Sequence, residues 1–166
     1  METEKDILSS IRLARLRAQG YSSETNLTLN EMAFGIRFAY RACTTVLIVA
    51  ILTKSITLFS IMIGIAFLGV VLPNHPFDYI YNYLLSARMK KPKLPARSNQ
   101  LKFACMIATL WLASIIYLIS TNNITVALIM ATILAGIAAL PGTIDLCIPS
   151  LIYNTFFNKE KHTQII

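Results

Sequence analysis

Charge is missing from two long stretches of this chain, and few folds can accommodate such a pattern. From Met32 to Pro73 only Arg37, Arg41 and Lys54 are charged, and from Phe103 to Phe157 only Asp145 is. One membrane crossing needs roughly 20 apolar residues, so each stretch has room for two. The whole chain is 55% hydrophobic and 14% charged, whereas soluble domains carry about a quarter charged residues. These features predict an all-α, polytopic membrane protein with four transmembrane helices in one compact unit.

The expected crossings run from about Phe34 to Thr53, Ile56 to Leu72, Phe103 to Ser120 and Ile124 to Leu140. Thr53-Lys54-Ser55 and Asn122-Asn123 make tight turns, while Pro73 and Pro141-Gly142 supply stops. Residues 1–30 form a separate N-terminal segment. Within it, Glu4 to Gln19 sets Ile7, Leu8, Ile11, Arg12, Arg15 and Arg17 on a helical repeat. That segment suits either a short amphipathic helix on an anionic leaflet or a mobile tail. Gly20 is placed to end it, and Asn30 with Glu31 to start the next helix. The membrane domain then spans residues 31–158, and 159–166 is a polar tail.

A net charge of +7 can signal nucleic acid, but here the basic residues flank apolar segments without interleaved aromatics, which argues for topology instead. Four crossings put Lys5, Arg12, Arg15, Arg17, Arg37 and Arg41 on one side with Arg88, Lys90, Lys91, Lys93, Arg97, Lys102, Lys159 and Lys161. Lys54 alone falls on the other side. The positive-inside bias therefore places both termini and the central loop in the cytoplasm, against the anionic inner leaflet. No cleavable signal is visible in the first 30 residues.

The two halves resemble one another. Arg37-Phe38-Ala39 opens the first pair of crossings and Lys102-Phe103-Ala104 the second. Each pair closes with Leu-Pro (Leu72-Pro73, Leu140-Pro141), an aspartate (Asp78, Asp145) and Ile-Tyr-Asn (Ile80-Tyr81-Asn82, Ile152-Tyr153-Asn154). This predicts two parallel two-helix repeats, about 34–85 and about 101–157. Charges near the membrane need partners, so Arg37 or Arg41 is expected to pair with Asp78, and Lys102 with Asp145. A gated ion path through the same aspartates is the competing reading. The aromatic segments starting at Pro76 and Pro149 are expected to form short interfacial helices.

Candidate chemistry is sparse. Cys43, Cys105 and Cys147 show no Cys-x-x-Cys spacing, and a reducing cytoplasm disfavours a permanent disulfide. Cys147 precedes a short helix whose N-terminus would lower a thiol pKa. Aligning the Ile-Tyr-Asn tripeptides sets His75 opposite Cys147, a pair that could ligate a metal or act as nucleophile and base. Alternatively, both simply pack. His162 stands in the polar tail. No phosphate loop, His-Glu-x-x-His or Gly-x-Ser-x-Gly is present, and no cofactor is implied.

Three phrases occur together: Leu72-Pro73-Asn74-His75-Pro76-Phe77-Asp78, Pro95-Ala96-Arg97 followed by Lys102-Phe103-Ala104-Cys105, and Asp145-Leu146-Cys147-Ile148-Pro149-Ser150. Over about Phe34 to Tyr153 the chain resembles an uncharacterised family of small bacterial integral membrane proteins, a domain of unknown function. The resemblance implies a four-helix protein of the bacterial inner membrane and implies no activity. Members of the family often carry a more cysteine-rich stretch near Cys147, where this chain has one cysteine.

With nothing catalytic complete, the leading expectation is a non-enzymatic accessory or assembly subunit, packing against another membrane protein or a second copy. Gly64, Gly69, Ala135, Gly136 and Ala139 would permit close helix contacts. One rival is a small transporter or channel using Asp78 and Asp145; the other is a thiol or metal enzyme centred on Cys147 and His75. The candidate site residues are thus His75, Asp78, Asn82, Asp145, Cys147 and Asn154, with Arg37, Arg41 and Lys102 as charge partners.

Overall fold

A computed structural model describes residues 9–157, and the described residues form helices and short connections without strands. The helices are α1 (Ser10–Ala18), α2 (Asn26–Thr53), α3 (Ile56–Val71), α4 (Pro76–Ile80), α5 (Ser86–Met89), α6 (Asn99–Ser120), α7 (Ile124–Ile144) and α8 (Ile148–Phe157). A π-helical turn, Tyr81–Leu85, joins α4 to α5. The expectations for Lys5, Ile7, Leu8, Lys159, Lys161 and His162 fall outside the described residues.

Local chemistry sets the helix ends. Thr25 caps α2 by accepting from the Thr28 amide at 3.2 Å, so the helix begins earlier than an Asn30 cap predicts. At the far end Lys54 takes a left-handed φ of 51°, and Ser55 caps α3. Ser98 caps α6, a turn ahead of the expected Phe103 start. Gly20, at φ 101°, follows the last turn of α1, a conformation that costs glycine no Cβ clash. Pro141 does not stop α7. Arginine side chains satisfy the last carbonyls of that helix, allowing it to continue to Ile144.

Among the described residues three helices, α2, α6 and α7, are long and apolar enough to cross a membrane. A fourth span results if α3 is counted with α4–α5, from which it is bent by 79°. Phe67, Leu110 and Ile129 are exposed on α3, α6 and α7, which hydrocarbon tolerates far better than water does. The chain is a helical membrane protein.

The long helices pack in an order that crosses the two halves. α3 lies mainly along α6 and α2 mainly along α7, with smaller contacts inside each hairpin. Leu47, Phe59, Met62, Leu112, Ile115 and Leu134 fill the centre, and the Trp111 indole N–H donates to the Met130 carbonyl at 3.1 Å, tying α6 to α7. A second core of Leu16, Leu29, Met32, Ile36, Tyr81, Leu94 and Leu101 sits at the end where α1, α4–α5 and α8 gather, here called the basic end.

The structure corrects the N-terminal expectation. Over its described residues α1 is an ordered helix, and Arg12 and Arg15 turn to the protein. It docks on the bundle, burying Leu16 completely and directing Arg12 and Arg15 onto the end of α7.

Gly35 makes this second core possible. A Cβ there would lie 2.5 Å from two atoms of the Tyr81 ring, and Phe34 and Phe38 both pack on that ring at 6.3 Å between centroids. With its neighbours so placed the ring cannot withdraw. Gly35→Ala should therefore destabilise the protein by about 1–3 kcal/mol despite alanine's better helix propensity. Gly64→Ala and Gly136→Ala meet nothing within 4 Å and should be neutral or stabilise by up to about 1 kcal/mol. Detergent melts showing the same sign at Gly35 and Gly64 would contradict the close ring contact.

Candidate functional site

Two aspartates organise the basic end. Asp145 ends α7 in a left-handed conformation and is completely buried. Its carboxylate accepts from Arg37 Nε and Nη2 and from Arg12 Nε, each at 2.6 Å. Cations also cap the helix C-terminus, where backbone carbonyls lack partners. Arg41 donates to the Gly142 carbonyl, Arg12 to Thr143 and Arg15 to Ile144. The Gln19 amide donates to the Asp145 carbonyl at 2.7 Å.

Asp78 lies at the start of α4, where its carboxylate receives the His75 amide in a capping box. Arg97 pairs with it through Nε at 2.6 Å and Nη2 at 3.2 Å, and both side chains are nearly inaccessible. The Arg97 amide also donates to the Pro73 carbonyl.

The expected partners are therefore exchanged. Arg37 serves Asp145 and not Asp78; Arg41 holds a carbonyl; Lys102 makes no ion pair among the described residues. The cause is the packing order: α2 runs beside α7, and the segment before α6 runs beside the end of α3. The two asparagines follow the same logic. Asn82 clamps both backbone groups of Leu94, ahead of α6. Asn154 donates to the Ala18 carbonyl, ahead of α2, and accepts from Gln100.

Above this polar layer the helices enclose a cavity of about 210 Å³. Cys43 from α2, Cys105 from α6 and Cys147 from the α7–α8 connection all line it, with His75, Tyr40 and Arg97. All three thiols are free. Deeper in the bundle the wall is apolar: Leu47, Met62, Leu112, Leu134 and the single tryptophan, Trp111. His75 Nε2 lies 4.0 Å from Cys43 Sγ, and Arg97 Nη1 donates to Cys105 Sγ at 3.4 Å. Gly69 admits this arrangement, since a Cβ there would fall 2.6 Å from the His75 ring and 2.9 Å from Cys105 Sγ.

No hydrogen bond joins His75 to Cys147, so the nucleophile–base pair inferred from the repeat does not form. No cluster of three metal-binding side chains exists among the described residues. Burial is the largest influence on the Cys147 thiol and pushes its pKa up. The short helix behind the thiol therefore does not yield the lowered pKa that its position suggested.

The His75 side chain is buried in the connection between α3 and α4. Burial, then the Arg97 charge, lower its pKa from 6.5 to about 3, against a smaller opposing effect of Asp78. Because the unfolded chain takes up this proton first, folded stability should fall as pH drops below 6.5 and continue falling toward 3. Between pH 7.5 and pH 5 the expected loss is about 2 kcal/mol. His75→Gln should flatten that part of the stability profile; an unchanged slope would place the titration elsewhere.

The sequence pattern of a family described as a domain of unknown function, DUF4395, matches residues 33–157. The chain belongs to that family. The DUF4395 match runs from Ala33, within α2, to the end of α8, and so takes in both ion-paired aspartates and the whole cavity lining. α1, with Arg12 and Gln19, lies ahead of it. No curated protein and no solved structure matches the chain.

Proposed function

We propose that this protein holds a small, lipid-soluble molecule in the cavity, with the three thiols and His75 at the molecule's polar end. The observation that carries this reading is convergence. Cysteines from three separate segments, together with a buried histidine, line one largely apolar chamber. Lipid-soluble small molecules extracted from native membranes should slow N-ethylmaleimide modification of the purified protein. Ala108→Phe, which fills the chamber, should abolish that protection. Labelling rates indifferent to the extract would overturn the reading.

The finer architecture is part of the proposal: four crossings of a bacterial inner membrane, built as two parallel repeats with the basic end in the cytoplasm. Exchanged anchoring supports the repeats, since a cation or backbone segment entering each half is bound by the aspartate and asparagine closing the other. The positive-inside bias supports the orientation. Lys54→Cys and Asn122→Cys should label from outside with a charged maleimide, and Lys91→Cys only after permeabilisation. Outside labelling at Lys91 reverses the assignment.

The transporter reading gains nothing from the aspartates, since arginines occupy both carboxylates. An accessory subunit keeps one support: Gly64 and Gly136 lie exposed with open space around them, room for another helix. A lone monomer in mild detergent would remove it.

A further inference from the structure

We infer that the cavity takes an uncharged, lipid-soluble carbonyl compound of the quinone type, whose oxygen accepts from His75 and Arg97 while its tail leaves past α8. This rests on the reading of the cavity as a binding site and names its ligand class; only binding is inferred.

The donors make the first part of the case. The Phe77 amide donates to His75 Nδ1 at 3.3 Å, so a neutral His75 carries its proton on Nε2. That N–H has only Cys43 Sγ nearby, at 4.0 Å. Arg97 commits Nε and Nη2 to Asp78, and its Nη1 reaches only the sulfur of Cys105. A thiol sulfur is a weak acceptor, and buried donors without good acceptors are costly. Two such donors at the polar end of one cavity call for an oxygen acceptor.

Charge and shape narrow the class. Asp78 already balances Arg97, and no Asp or Glu lines the cavity among the described residues, so a neutral head fits better than an ionised one. A cavity of roughly 150 Å³ accommodates a benzene ring; at about 210 Å³ this one admits a substituted single ring. Ile152 lies on the rim and is 40% exposed, leaving an apolar tail an exit beside α8.

Trp111 provides the readout, being the only tryptophan and part of the wall. In the full-length protein in lipid nanodiscs, decyl-benzoquinone should quench its fluorescence saturably. Decanol and decanoate at the same mole fraction should not displace the quinone. His75→Asn, which can still cap α4 but lacks the inward N–H, should weaken binding about tenfold, the equivalent of one hydrogen bond. Ala108→Phe should leave only linear, collisional quenching. Displacement by decanoate would mean an acid head is preferred, and displacement by decanol would mean any apolar chain suffices. Either result, or linear quenching in the unaltered protein, overturns the quinone assignment. If membrane extract still protects the thiols, the binding-site reading survives that failure; if it does not, both fall.

Discussion

Arg97→Gln should be among the most damaging single changes in this protein. It strands the Asp78 carboxylate, which is 4% exposed and keeps only the His75 amide as partner. Removing one member of a fully buried pair costs about 3–5 kcal/mol, mostly as the desolvation of the charge left behind. Asp78→Asn should cost a comparable amount by stranding the cation. The double change should be milder than the sum of the two, because it leaves neither charge alone. Lys102→Gln is the control: with no ion pair among the described residues, it should stay within about 0.5 kcal/mol. Detergent melts in which the singles add strictly, or in which Lys102 matters as much as Arg97, would sink the assignment.

That contrast between Arg97 and Lys102 shows where the sequence stops being informative. Segregated charges located the ends of the long helices within about four residues, except the start of α2, which lies about eight residues earlier, because a bilayer imposes length and polarity on each segment separately. Partnership is a different matter. Lys102 matched Arg37 by motif, so the pairs were sought within each half. Helix neighbours, however, are set by packing that the linear order does not encode, and here they cross between halves. Arg97 looked like one more topogenic charge in a basic loop; its only distinguishing mark was the Pro95-Ala96-Arg97 phrase. Arg12 and Gln19 were invisible for a related reason. Their segment was expected either to lie on lipid or to be a mobile tail, and nothing in a string of arginines announces the carbonyl ends of α7.

The cavity was legible only in part. His75 and Cys147 were singled out from the repeat, and both line it. Nothing in the sequence linked Cys43 to them; the bend between α3 and α4 is what brings the His75 ring within 4.0 Å of its sulfur. Gly69 stood out only as a small residue permitting close helix contacts, within the chain or between chains. The contact it makes is inside the bundle, where it leaves room for His75 and Cys105.

Asp145→Asn tests the other half of this arrangement through a different measurement. Asparagine tolerates the left-handed backbone found there, at φ 60°, so the change removes charge with little added strain. Arg37 and Arg12 then lose their carboxylate. Arg12 is 31% exposed, so solvent relieves part of its penalty, and the cost should sit near the lower end for buried pairs, about 3 kcal/mol. What distinguishes the site is α1. That helix is fastened to the bundle by Arg12 on Asp145, by Arg12 and Arg15 on the last carbonyls of α7, and by Gln19 on the Asp145 carbonyl. Weakening the first of these should favour local detachment before the bundle melts, and each 1.4 kcal/mol of lost docking raises the open population about tenfold. Trypsin should then cleave after Arg12, Arg15 or Arg17 at least about tenfold faster in Asp145→Asn than in the unaltered protein. Arg37→Gln leaves the Arg12 contact in place and should accelerate cleavage much less, even where it lowers the melting temperature by a similar amount. Equal cleavage rates in the two variants would mean that the Arg12 contact with the carboxylate contributes nothing to holding α1, and that the Asp145 side chain serves only α2.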